Sequence, residues 1–188
     1  GTDELAGRSV LVQGTGNVGE HLVELLRNDN VDVYVSDINQ EHMQAIASKY
    51  KAKAIHADKI FTIGADIYAP CALGATVNDK TIKTMKFAII AGSANNQLAN
   101  EQVQGQLLHD KGILYAPDYL INAGGIISCY SELTGFGRKR TIQLTENIYD
   151  ATREVIKLSK LENIPTNLAA SRIAENRIES IKKIKSSY

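Results

Sequence analysis

Residues 10–22, VLVQGTGNVGEHL, place three glycines where an apolar run gives way to an amphipathic one. Gly14-Thr15-Gly16-Asn17-Val18-Gly19 reads G-x-G-x-x-G, a pattern that carries weight only between a strand and a helix. That context is met here. Residues 9–13 form a buried strand by their apolar run. Residues 17–26 form a helix by the spacing of Val18, Leu22, Leu25 and Leu26. Each glycine has its own reason. Gly14 permits the turn out of the strand, Gly16 lets a diphosphate lie against bare backbone, and Gly19 lets the helix approach the sheet closely. Asn17 and Val18 stand at the helix start, where free N–H groups and the helix dipole favour an anion.

An acidic residue at the end of the second strand is the independent check on this motif. Residues 31–36 (VDVYVS) alternate as a strand, and Asp37 follows, eighteen residues beyond Gly19. A carboxylate there accepts the two hydroxyls of an adenosine ribose and repels a 2′-phosphate. No Arg or Lys lies between Asp37 and Met43 to reverse that repulsion, so NAD is expected over NADP. The plainer role for Asp37 is to cap the helix that starts near Asn39. A methyltransferase binding S-adenosylmethionine also places an acid at this strand end, but without the full three-glycine loop.

The remaining text repeats the alternation. A helix at residues 39–50 and a short strand at 53–55 are followed by a strand at 65–68 stopped by Pro70. A helix at 79–85 has Asp79 at its cap position. Then come a strand at 87–90, a helix at 101–111 closed by Gly112, and a strand at 113–115. Strand, helix, strand with short joints gives a doubly wound parallel sheet covered on both faces, an α/β Rossmann-like fold. After Gly124-Gly125 the strands stop, and residues 126–133, 141–161 and 166–185 make a helical extension. Its last charged face, from Arg172 to Lys183, is expected to be solvated.

Composition excludes several classes. Lys+Arg and Asp+Glu number 21 each, which argues against a phosphate-neutralising nucleic-acid binder. No apolar run reaches the length of a membrane span. The chain opens Gly1-Thr2-Asp3 rather than with Met, so a processed chain or a piece of a longer one is expected. No export signal is visible, so a cytoplasmic location is expected. Two separate cysteines and four scattered histidines, without HxxxH or HExxH, give no metal site.

Three strand ends carry small and polar residues: Ala69-Pro70-Cys71-Ala72-Leu73-Gly74, then Ala91-Gly92-Ser93-Ala94-Asn95-Asn96-Gln97, then residues 117–125 (PDYLINAGG). Ligands sit outside the carboxyl ends of such strands. Small residues let a flat ring approach, and Asn offers both a donor and an acceptor. Asn96 reads as a turn residue, and Cys71 as a small thiol with no base nearby in sequence. There is no Y-x-x-x-K pair, and Lys80, Lys83 and Lys86 look solvated.

Taken together, VLVQGTGNVG, VSDIN, DIYAPCALGA, IIAGSANNQL, GILYAPDYLINAGG and ENIPTNLAASRIAENRI resemble the glutamate/leucine/phenylalanine/valine dehydrogenases over nearly the whole chain. The resemblance implies an enzyme of two domains that oxidatively deaminates an L-amino acid to a 2-oxo acid and ammonia. The N-terminal domain, which carries the catalytic Lys and Asp, is absent from this chain, so catalytic residues are expected to be absent too. By the same resemblance Gly14, Gly16, Asn17, Val18 and Gly19 hold the pyrophosphate, and Asp37 and Ile38 the adenosine. Cys71, Ala72, Leu73, Ala94 and Asn95 lie along the nicotinamide, and Asn122 faces the substrate. It also implies an apolar, leucine-like substrate and a homo-oligomer built mainly through the other half. Two readings from other classes stand beside it: a stand-alone NAD-binding regulatory module, and a small free-standing oxidoreductase.

Overall fold

A computed structural model describes residues 4–185; Gly1, Thr2 and Asp3 lie outside it. Six strands form one parallel sheet in the order β3-β2-β1-β4-β5-β6. They are β1 (Ser9–Gln13), β2 (Asp32–Ser36), β3 (Lys53–Ala54), β4 (Ile67–Pro70), β5 (Ile89–Ile90) and β6 (Leu114–Tyr115). The order reverses at β1, so β2 and β4 flank it. Val12 pairs with Val35 on one side and Ala69 on the other. The connections are helices α1 (Asn17–Asn28), α2 (Gln40–Tyr50), α3 (Asp79–Thr84) and α4 (Glu101–Asp110), with a single 3-10 turn at Ala57–Lys59 between β3 and β4. The doubly wound reading holds.

The side-chain alternation of the central strands sorts the core. Val10, Val12, Val33 and Val35 point to the face covered by α1 and α2, where Val23, Leu26, Met43 and Ile46 meet them. Leu11 points to the other face, against Ile60, Tyr68, Phe87, Ile90 and Leu108. There Tyr68 stacks on Phe87 with ring centroids 5.1 Å apart. Val18 and Leu25, two of the apolar positions whose spacing marks α1, are exposed. They border an open groove of about 300 Å³ with Leu22, Ala91 and Ile121.

Local chemistry moved several boundaries. Strand β4 runs through Pro70 rather than stopping before it, pairing Gln13 with Pro70. Proline there needs no N–H for the ladder, and its carbonyl accepts from Ala94 N–H at 2.9 Å. Helix α3 is capped by Asn78, not Asp79. The Asn78 side chain accepts from the Lys80 and Thr81 N–H groups, and Thr81 returns its hydroxyl to the Asn78 N–H in a capping box. Strand β5 is only Ile89–Ile90, and Phe87 before it packs its ring on Tyr68.

The segment after β6 is helical earlier than expected. Helix α5 (Asp118–Ile121) precedes α6 (Gly124–Thr134), which begins at the paired glycines, and α7 (Arg138–Glu162) and α8 (Thr166–Lys185) complete the extension. Val155, Ala169 and Ala170 give α7 and α8 a small core of their own. The charged residues of α8 from Arg172 to Lys183 are exposed, as expected, and Arg172 is paired with Glu162.

Candidate functional site

The glycine loop leaves β1 through Gly14, whose φ of +97° is a region that L-residues avoid. A Cβ on Gly14 would lie 2.5 Å from the Ala72 Cβ, and one on Gly19 would lie 1.9 Å from the Gly14 carbonyl oxygen. Helix α1 is therefore seated directly on the turn that feeds it. Gly16 differs: nothing lies within 4 Å of where its Cβ would be. It is the N-cap of α1, no side chain caps the helix there, and Gly16, Asn17 and Val18 are all exposed. The result is an open shelf of backbone N–H groups at a positive helix end, a bed for a diphosphate.

Asp37 stands beside this shelf but does not wait free. Its Oδ2 accepts the Thr15 N–H at 2.7 Å and the Thr15 hydroxyl at 3.0 Å, and its Oδ1 accepts the Asn39 N–H at 2.9 Å. Partial burial pushes this carboxyl up, but the bonds from Thr15 and Asn39 and the nearby His42 outweigh it, holding the group below its ordinary value of 3.8. His42 Nε2 lies 2.7 Å from the Thr15 carbonyl. Helix α2 is capped by Asn39, whose side chain accepts the His42 N–H. Asp37 thus stiffens the loop as well as facing the crevice. Of the four lone-pair positions on its carboxylate, three are filled.

The loop after β4 reaches two places. Ala72 and Leu73 line a cavity of about 110 Å³ with Gln13, Gly14, Ser36, Asp37, Ile38, Ala57, Ile60 and Thr76. Gly74 meets the next loop, where a Cβ would lie 2.8 Å from the Asn95 and Asn96 carbonyl oxygens. Ala72 and Leu73 therefore stand at the Asp37 end, not solely on the side expected for the nicotinamide. Cys71 is a free, half-buried thiol packed toward α1. Asn96 takes φ +51°, the turn role expected of it, and its carbonyl accepts the Ala75 N–H at 2.7 Å.

At the far side, Asn122 Nδ2 donates to Asn95 Oδ1 at 2.6 Å. Two residues singled out separately in the sequence are thus joined across 27 positions. Below them Asp118, buried, accepts the Gln97 N–H at 2.9 Å and the Tyr119 N–H at 2.7 Å. Ala94 is buried behind this loop, its carbonyl taken by Gln97 Nε2 at 3.0 Å. Burial is the chief cause that pushes the Tyr119 phenol up to about 12. Lys80, Lys83 and Lys86 are exposed. Among the described residues there is no helix long and apolar enough to cross a membrane, and no group of His, Cys, Asp and Glu arranged to hold a metal ion.

Of the residues singled out in the sequence, the structure brings the glycine loop against Asp37, sets Ile38 beside the same cavity and joins Asn95 to Asn122. Sequence reasoning missed Thr15, although a hydroxyl inside the glycine loop and a carboxylate at the neighbouring strand end would have been a usable signal.

Sheet order, glycine turn and acidic strand end define a Rossmann-like α/β domain. The family profile for glutamate/leucine/phenylalanine/valine dehydrogenase matches residues 1–185, and the chain belongs to that family. It is 48% identical over 188 residues to a leucine dehydrogenase of Bacillus cereus, covering 100% of this chain and 51% of that protein. It is 43% identical over 185 residues to a phenylalanine dehydrogenase of Bacillus thermotolerans, covering 96% and 48%. The crystal structure of an L-tryptophan dehydrogenase from Nostoc punctiforme superposes with a TM-score of 0.94 at 41% identity, over 97% of this chain and 54% of that one. The chain spans about half the length of the curated relatives it matches.

Proposed function

We propose that this chain is the coenzyme-binding half of an NAD-dependent dehydrogenase acting on an apolar, leucine-like L-amino acid. The observation that carries the reading is the pairing of an uncapped, side-chain-free helix start at Gly16 with the Asp37 carboxylate one strand away. The residues suit the coenzyme. Gly14, Gly16, Asn17, Val18 and Gly19 form the bed for the pyrophosphate, and the remaining lone pair on Asp37 Oδ1 faces a ribose hydroxyl. Ile38, Ala72 and Leu73 flank the adenine. Asn95, with Ala94 behind it and Cys71 at the strand end, borders the nicotinamide. Asn122, tied to Asn95, is turned to the amino acid. When bound, NAD supplies the hydride acceptor; this chain supplies the seat.

A carboxylate at Asp37, with no Arg or Lys through Met43, favours NAD over its 2′-phosphorylated form. The leucine-like substrate rests on the higher identity to leucine dehydrogenases than to the tryptophan and phenylalanine enzymes. The proton-transferring lysine and aspartate are assigned to a partner half of the protein, and the working enzyme to a homo-oligomer. The test is a fluorescence titration of the 188-residue chain with NADH. Binding by the unaltered chain is expected, with no leucine turnover, and Asp37→Ala should weaken it by about 1–3 kcal/mol. Unchanged affinity in the variant removes Asp37 from this role, and turnover by the chain alone removes the assignment of catalysis to another half.

A further inference from the structure

Asp118 is the one acidic residue that is buried among the described residues, 8% exposed and in no ion pair. A carboxylate shut away from water is costly unless hydrogen bonds replace its hydration. Here two backbone N–H groups do so, Gln97 at 2.9 Å to Oδ2 and Tyr119 at 2.7 Å to Oδ1. An acid in the first turn of a helix ordinarily serves the helix dipole. That role accounts for little here, since α5 is a single turn of four residues and Oδ2 is engaged by another segment, 21 positions away. The bond joins the loop after β5 to α5.

Three bonds close into a circuit around this joint. The Asp118 carboxylate accepts the Gln97 N–H, the Asp118 carbonyl accepts the Asn122 N–H at 2.9 Å, and Asn122 Nδ2 donates to Asn95 Oδ1 at 2.6 Å. The two sides of the circuit differ in strength. The bond between the carboxamides is open to water, where a neutral hydrogen bond exchanges with solvent and holds little by itself. The bond from Gln97 to Asp118 is buried and charge-assisted, roughly twice as strong as a neutral one. The loop that links the two is stiff. Gln97, wholly buried, donates through Nε2 to the Gly92 and Ala94 carbonyls at 2.7 and 3.0 Å. A displacement at the Gln97 N–H is therefore carried to Asn95, which precedes it by a single residue between them.

We propose that Asp118 is a positioning residue for the Asn95–Asn122 pair. Its carboxylate locks the loop after β5 against α5 and so sets the spacing and aim of the two carboxamides. The inference rests on the coenzyme reading above, which puts Asn95 beside the nicotinamide, and extends it to a side chain that acts through those amides.

The test is a calorimetric titration of the 188-residue chain and of Asp118→Asn, Asn122→Ala and the double variant. The probes are NADH and, separately, ADP-ribose, which has the adenine end but no nicotinamide. Asp118→Asn keeps the shape, removes the charge and puts an N–H group where an acceptor stood. It should bind NADH about three- to tenfold more weakly, the range for one hydrogen bond, and ADP-ribose as well as the unaltered chain does. Asn122→Ala should show the same pattern. The double variant should bind NADH no more than about twofold worse than the weaker single variant, because both changes break one circuit. Undiminished NADH affinity in Asp118→Asn overturns the proposal. So does an equal loss for both probes, which is what a merely structural carboxylate produces. Fully additive losses in the double variant overturn it too, since Asp118 then acts apart from the Asn95–Asn122 pair. Failure of the unaltered chain to bind either probe overturns the coenzyme reading itself, and this inference with it.

Discussion

The two halves of the sheet are held together by different means. On the side of the glycine loop, β1 and β2 pair over five residues and β1 and β4 over four, and the loop is fixed by backbone contacts such as Gly14 against Gly19. On the far side, β5 and β6 are two residues each. There side chains do the joining. Asp118 holds the Gln97 N–H, the Thr166 hydroxyl donates to the Tyr115 carbonyl at 2.6 Å, and Lys111 Nζ gathers the last carbonyls of α3. The half whose glycine turn is held by backbone contact, with Asp37 and Thr15 as its side-chain brace, tolerates little change at its glycines. A half built by side chains can be re-specified residue by residue, and it is the half that carries Asn95 and Asn122.

The contrast is open to attack at its strongest point first. Gly19→Ala forces a Cβ into the Gly14 carbonyl, where only backbone could yield. It should cost about 3 kcal/mol or more by urea unfolding, with NADH binding lost. A mild effect would mean the glycine turn is softer than its contacts indicate. Asp118→Ala, in the other half, strips the acceptor from two N–H groups and should cost about 2–3 kcal/mol by the same measurement. Its expected signature is local, with amide exchange quickening near Gln97 while β1 and β2 stay protected. Thr166→Val should cost about 1 kcal/mol in urea unfolding, since one buried bond is lost and the shape is kept.

The smallest effect concerns pH. Asp37 has a carboxyl held below its ordinary value, so its contribution to folding is complete above 3.8 and is lost as the pH falls through the lower folded-state value. The stability difference between the unaltered chain and Asp37→Asn should therefore be flat near neutrality and shrink below pH 3.8. A difference that persists undiminished in acid would show that the Thr15 and Asn39 contacts do not depend on the charge.

The legible parts of the sequence were those governed by local rules. The β1–α1 turn could be read because G-x-G-x-x-G needs no distant partner, and the register of Asp37 because one helix and one strand fix it. The cap of α3 was misplaced by one residue because Asn78 and Asp79 are both good caps, and only the returning Thr81 hydroxyl decides between them. Pro70 looked like a strand breaker because its missing N–H counts only if the ladder needs it. Thr15 stayed hidden for a different reason. It is a small hydroxyl residue whose contact with Asp37 comes from what another segment lays beside it, which no periodicity records.

Helix α7 has a consequence of its own. Its 25 residues make a rod about 37 Å long, of which the carboxyl-terminal part is buried through Val155 and Ser159, while Ile142 and Tyr149 nearer the start stand in water. It packs on α8, and it also lies against α5 and α6. Because α5 runs straight into Asn122, a shift of α7 against α5 is passed on to the Asn122–Asn95 bond.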